Sequence, residues 1–290
     1  MRASRWTARI ITAVIALLLA PIAVGMVATG GAQWRFAATA ANAGLELSGA
    51  IAPGLQLAIG IALLVGIVLT GIWSSAGLLA AGALGLAALL FSSVPALMMG
   101  MYRLLANSLP REWLDGLIAG VPLTILPALG GLGLALAALR RRPGPLAIGG
   151  TIGGLIGIPL ALLAGGVAIA WGAGAVATQV MRFARLDVMP LVALAIVGGT
   201  LLVVAALAAV RWSPYALVLP GIILVTLNVV VLLGSPALVF GMLRPFGIEA
   251  ANMLMRLLEL CVPLTVGILY LAFTATALIV RRRSLRAQAA

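Results

Sequence analysis

Charged residues are so sparse along this chain that the gaps between them mark its elements. Uncharged stretches run over 10–34, 47–102, 116–139, 143–181, 188–210, 212–243 and 260–280. A helix needs about 20 apolar residues to cross about 30 Å of hydrocarbon. The stretch 47–102 therefore holds two helices with a tight turn at Trp73-Ser74-Ser75. The stretch 143–181 holds one span, over about 146–170, followed by an uncharged segment. The stretch 212–243 is likewise one span and its exit, which gives eight membrane-crossing helices and an all-α integral membrane protein.

The same pattern occurs twice. Shifting the sequence by 141 positions brings Pro95-Ala96-Leu97 onto Pro236-Ala237-Leu238, and Gly100-Met101 with Arg103 onto Gly241-Met242 with Arg244. Val121-Pro122-Leu123-Thr124 falls on Val262-Pro263-Leu264-Thr265 in the same register, and Arg140 to Arg142 on Arg281 to Arg283. Agreement this long predicts a tandem duplication, with four helices in residues 1–145 and four in 146–290. An even number of spans per copy makes the copies parallel, related by a pseudo-two-fold axis along the membrane normal. The apolar run after Arg2, Arg5 and Arg9 resembles a signal peptide, but its counterpart after Pro145 predicts a retained first helix.

Composition sharpens this picture. The chain is 64% hydrophobic and 8% charged, too little polar surface to coat a water-soluble globule of 290 residues. With eight alternating spans, eleven of the 18 basic residues, all arginine, fall on one side: Arg2, Arg5, Arg9, Arg140 to Arg142, Arg211, Arg281 to Arg283 and Arg286. The positive-inside rule makes that side cytoplasmic, with both termini there, in the cell membrane. All six acids, Glu46, Glu112, Asp115, Asp187, Glu249 and Glu259, fall on the other side. The net charge of +12 thus reads as topology, and no nucleic-acid partner is expected. Trp6, Trp73 and Trp212 mark one boundary and Trp34, Trp113 and Trp171 the other, as an aromatic belt.

Residues that are missing narrow the chemistry. Without lysine there is no Schiff base, and without histidine there is no bis-histidine haem and no commonest general base. No cofactor, metal site or catalytic residue is expected, and the single Cys261 forms no internal disulfide.

Three motifs carry the functional expectations. In Pro-Ala-Leu-x-x-Gly-Met-x-Arg, the proline breaks the third helix of each copy and the glycine permits close approach. Pro95, Gly100, Arg103, Pro236, Gly241 and Arg244 then form a candidate substrate site, with the arginines as a symmetric pair of cations for an anionic group. The plainer reading makes each arginine a snorkelling interfacial residue. Second, Val-Pro-Leu-Thr opens the fourth helix of each copy, where Thr124 and Thr265 can satisfy carbonyls freed by proline. Third, Gly149, Gly153 and Gly157 share one helix face and invite close packing, within the chain or against a partner.

Glu259 is the acid nearest an apolar span and a candidate functional carboxylate, with Arg256 three residues earlier as its expected interfacial partner. Glu112 and Asp115 read as a solvated outer helix, and 249–260 as an amphipathic one carrying Leu254, Leu257 and Leu258 on one side. The outer connections 30–52, 98–118, 171–189 and 237–258 are too apolar for free loops and predict interfacial or re-entrant segments. Polar residues inside the spans are few, with Asn228, Thr200 and Gln56 among them, which disfavours ion coupling and aqueous pores.

Two functions fit. One is a transporter, permease or flippase-like protein handling an amphipathic or lipidic molecule. The other is a non-catalytic membrane subunit or assembly scaffold. The expected partners are membrane lipids, and a membrane protein or a second copy of the chain.

Overall fold

The computed structural model describes residues 2–42, 47–141, 148–181, 187, 189–232 and 236–289. Twelve α-helices follow in chain order: α1 Arg2–Asn42, α2 Ile51–Thr70, α3 Ala76–Ser93, α4 Pro95–Leu105, α5 Arg111–Ile118, α6 Val121–Arg141, α7 Ile148–Met181, α8 Pro190–Ala209, α9 Val218–Leu232, α10 Pro236–Leu243, α11 Ile248–Glu259 and α12 Val262–Ala289. No strand occurs among the described residues. Among the described residues, eight helical segments are long and apolar enough to cross a membrane, carried by α1, α2, α3, α6, α7, α8, α12 and the 214–232 segment that ends in α9. The chain is a polytopic, all-helical membrane protein. The expected boundary between 145 and 146 lies outside the described residues, as do Arg142 and Glu46.

The tight turn falls where the sequence places it. Residues 71–75 separate α2 from α3, with Trp73 N–H donating to Thr70 O at 2.9 Å. The connections 98–118 and 237–258 fold into short helices, α4 and α5 in one and α10 and α11 in the other. The other two connections differ from expectation. Residues 30–42 and 171–181 are not separate interfacial segments but the ends of α1 and α7, which run unbroken for 41 and 34 residues. At 1.5 Å per residue α1 is about 60 Å long, twice the hydrocarbon thickness. Pro21 and Pro159 are carried inside these helices without ending them, as membrane helices tolerate where neighbours satisfy the freed carbonyl.

The centre of the bundle is α6 and α12. In their most apolar windows 67% and 56% of residues are buried, against 22–39% in the other six spans. These two helices pack on each other, so the middle of the bundle is a filled seam. Around it, α6 packs on α3 and α8 while α12 packs on α9 and α2. Two further tight pairs, α1 with α2 and α7 with α8, complete the bundle, and α5 and α11 lie against α1 and α7 respectively.

Close approach in these pairs rests on glycines facing glycines. A Cβ added to Gly82 on α3 would stand 2.3 Å from the Cα of Gly130 on α6. Gly165 and Gly199 join α7 to α8 in the same way, each placing a Cβ 2.8 Å from the other's carbonyl oxygen, and Gly221 and Gly267 join α9 to α12. Lipid supplies no hydrophobic drive for helix association, so dispersion contacts at short backbone distance hold such pairs together. On the side of α5, the Trp113 indole fills the space above Gly25 of α1, where a Cβ would stand 2.2 Å from the ring. Trp113, expected from the sequence to mark a boundary, is therefore a packing residue.

Candidate functional site

Proline sets the geometry of the repeated motif. α3 ends at Ser93, Val94 is extended at φ −123° and ψ 100°, and Pro95 begins α4. Pro236 is likewise the first residue of α10. A proline at the first helical position lacks only an N–H that would have no intrahelical partner. Pro95 is buried, Gly100 and Gly241 face open space, and Arg103 and Arg244 are exposed, the latter in a 3-10 turn over 244–246. The two copies sit on different neighbours: α4 packs on α3, α5 and α7, while α10 packs on α9 and α11.

A cleft of about 560 Å³ opens between α7, α10 and α11, and Pro236 is the one residue of the six that lines it. Its polar wall is one face of α11, carrying Glu249, Asn252, Arg256 and Glu259. The opposite face of α11 is sunk into the bundle through Ala250, Ala251, Leu257 and Leu258, so the helix's amphipathic spacing aims its charges into the cleft. Met181 and Phe240 supply apolar walls and Thr178 a hydroxyl. Carboxylates, a guanidinium and an amide facing apolar side chains suit a ligand with a polar head and an apolar body.

Glu259 does not pair with Arg256. Its carboxylate instead takes a salt bridge from Arg35 of α1, joining the first half of the chain to the second. The side chains are 35% and 31% exposed, so the pair is partly screened and contributes modestly to stability. In the order Arg256 before Glu259, a pair within α11 is the weaker orientation for a helix, and Arg35 displaces it. Arg256 turns into the cleft, with one Nη 3.6 Å from Met181 Sδ. On α5, Gln33 of α1 donates to Glu112 at 3.2 Å and Arg111 lies 4.0 Å from Asp115, as a solvated helix surface requires.

Val-Pro-Leu-Thr has a structural task in both copies. Thr124 donates its hydroxyl to Gly120 O and Thr265 to Cys261 O, each at 2.9 Å, which adds a side-chain bond to carbonyls that already accept the threonines' own N–H and so braces the start of α6 and α12. The carbonyls that the prolines free, four residues before each ring, are not the ones these hydroxyls reach. The second corner is reinforced by Asn228 of α9, fully buried, whose Nδ2 donates to Leu258 O at 3.2 Å and whose Oδ1 accepts from Leu264 N–H at 3.1 Å. Asn228 thus serves backbone groups and not a ligand. Burial pushes the neighbouring Cys261 thiol up to about 12.

At Gly153 and Gly157 the glycine face of α7 packs against none of the described residues. A Cβ on Gly153 or Gly157 would meet nothing within 4 Å, whereas Gly154 rests on Ser213. The surroundings of Gly149 lie outside the described residues. A second, apolar groove of about 700 Å³ lies between α1, α2 and α12, lined by Trp34, Leu55, Ile61 and Leu264. Arg103 and Arg244 line neither opening.

Sequence reasoning missed Arg35 as a partner for Glu259, and it missed Asn252 and Thr178 as cleft residues. The polar stripe of α11 was the available signal for Asn252; the other two depend on how distant helices meet. No protein-family model, no curated protein and no solved structure matches this chain.

Proposed function

We propose that this chain is a transporter- or flippase-like membrane protein that takes an amphipathic or lipidic molecule into the cleft between α7, α10 and α11. The observation that carries the proposal is the polar face of α11, with Glu249, Asn252 and Arg256 turned towards the apolar Met181 and Phe240. A headgroup would meet the charges and a chain would leave along the apolar walls into lipid. Arg103 and Arg244 act in this reading as exposed cations that gather anionic headgroups on the same side of the bundle. Duplication supports a parallel two-fold design: α6 packs on α8 as α12 packs on α2, and Thr124 and Thr265 repeat one hydrogen bond. The arginine-rich side then faces the cytoplasm and the cleft opens outwards.

Reconstitution in proteoliposomes with fluorescent phospholipids tests the proposal. Reductive quenching of the outer-leaflet label reports exchange between leaflets. Exchange is expected to be faster than in protein-free vesicles and to fall in Arg256→Ala and in Glu249→Gln. No acceleration with any headgroup class would remove this reading.

One observation favours a second reading, a non-catalytic membrane subunit or scaffold. Gly153 and Gly157 face open space on a helix otherwise suited to close packing. Gly153→Leu would then release a co-purifying protein while the bundle stays folded.

A further inference from the structure

On the arginine-rich side, a cleft of about 830 Å³ lies between the start of α1, the turn from α2 to α3 and the end of α6. Arg9, Arg140 and Arg141 line it, together with Trp73, Ser74 and Ser75, and no carboxylate is among its described lining residues. Arg140 is fixed in place by donating to the carbonyl of Gly71 in the same turn. Arg9 stacks over Trp6, its guanidinium carbon 5.6 Å from the ring centroid, and Arg141 is exposed at the cleft margin. Ser74 Oγ accepts from Ala76 N–H at 3.1 Å, which leaves its own proton to donate. Trp73 is 68% exposed beside these cations.

Three guanidiniums around one opening repel each other unless an anion lies between them, and their planar donors match the oxygens of a phosphate. The remaining walls are apolar, Ile72, Leu79 and Ala137, and the tryptophan stands where interfacial tryptophans meet headgroups. Purely aqueous phosphate would gain nothing from such walls, whereas a phospholipid uses both. In the matching turn of the second half Ser213 and Pro214 are buried and Gly154 lies against Ser213.

We propose that the cleft formed by Arg9, Arg140, Arg141 and Trp73 is a binding site for the phosphate headgroup of an anionic phospholipid. The site lies on the opposite side of the bundle from the α11 cleft and does not depend on the transport reading.

Native mass spectrometry of the full chain in detergent, titrated with phosphatidylglycerol, measures the binding. In the Arg9→Gln/Arg141→Gln double variant, which spares the Arg140 contact with the turn, the dissociation constant is expected to rise about thirtyfold, on the scale of two interfacial arginines. The Arg9→Lys/Arg141→Lys variant, which keeps the charges, is expected to retain most of the affinity. Arg282→Gln/Arg283→Gln, which removes the same charge elsewhere on that side, is expected to leave it unchanged. If the double glutamine variant does not fold, the exposed single change Arg141→Gln serves, with an expected loss of about fivefold. Unchanged binding in the cleft variants would overturn the proposal, and so would an equal loss in Arg282→Gln/Arg283→Gln, which would mean diffuse surface attraction. Inorganic phosphate binding as tightly as the lipid and displacing it would also overturn it, by making the ligand a free anion.

Discussion

Gly120 and Cys261 occupy the same left-handed corner, at φ +74° and +56°, one residue before α6 and one before α12. Glycine adopts this conformation freely, whereas a side chain costs roughly 1–2 kcal/mol there. A Cβ at Gly120 would meet nothing closer than 3.9 Å, so Gly120→Ala tests the backbone alone. That variant is expected to unfold in denaturant about 1–2 kcal/mol more easily than the parent. Cys261→Gly is expected to stay within about 1 kcal/mol of it, because relief of the corner offsets lost packing. Equal stability of Gly120→Ala and the parent would show that the corner is not constrained.

Asn228→Ala removes the acceptor for Leu264 N–H and one of the donors to Leu258 O, which also receives Cys261 N–H at 3.1 Å. An orphaned buried N–H costs about 1–3 kcal/mol. Thermal unfolding in detergent is expected to show a loss of that size. The variant should leave the α11 cleft able to bind its ligand, since the amide faces backbone groups. Lost binding with undiminished stability would instead place Asn228 in the site.

The glycine pairs separate positions that pack from positions that only look as if they should. Gly82→Ala places a methyl against the Gly130 backbone, which has no flexible group to yield, and a loss of about 1–3 kcal/mol or failure to fold is expected. Gly153→Ala and Gly157→Ala enter open space and are expected to change the stability of the isolated chain by less than about 0.5 kcal/mol. A ranking in the opposite order, read from denaturation midpoints, would refute the helix pairing described above.

Cys261 yields a prediction about pH. Its thiol is fully buried and rises from an ordinary 9.0 to about 12, with burial the main cause. The folded state therefore holds its proton where an unfolded chain releases it. Stability from this group is complete below pH 9 and is lost as pH rises from about 9 to about 12. Relative to Cys261→Gly, the parent is expected to lose on the order of 1–2 kcal/mol between pH 8 and pH 10.5. Iodoacetamide at pH 8 should modify the denatured chain and spare the folded one. Rapid modification of the folded protein would contradict this burial.

Much of the fold was legible because charge is rare and its gaps are long. The eight spans, the turn at Trp73 to Ser75 and the amphipathic α11 follow from where polar residues stand. Helix ends were harder to place: nothing between Gln33 and Asn42 or between Trp171 and Met181 forbids a helix, and both stretches continue one. Packing faces were harder still, because apolar residues meet lipid and core alike. The conspicuous stripe at Gly153 and Gly157 faces outwards, while single glycines such as Gly82 and Gly130 make the tight contacts. Of the candidate substrate residues, Pro236 lines the α11 cleft, and the sequence has no means of bringing Arg35 to Glu259, more than two hundred residues away.

The central position of α12 bears on how the protein is made. α2, α6 and α9 precede it in the chain, and each presents to it a surface that stays unpaired until α12 arrives. During synthesis those three helices wait in the bilayer with glycines such as Gly221 uncovered, open to lipid or to the wrong neighbour. A ribosome that stalls before residue 262 would leave a bundle with one of its two central helices missing, the kind of unfinished product that membrane quality control recognises.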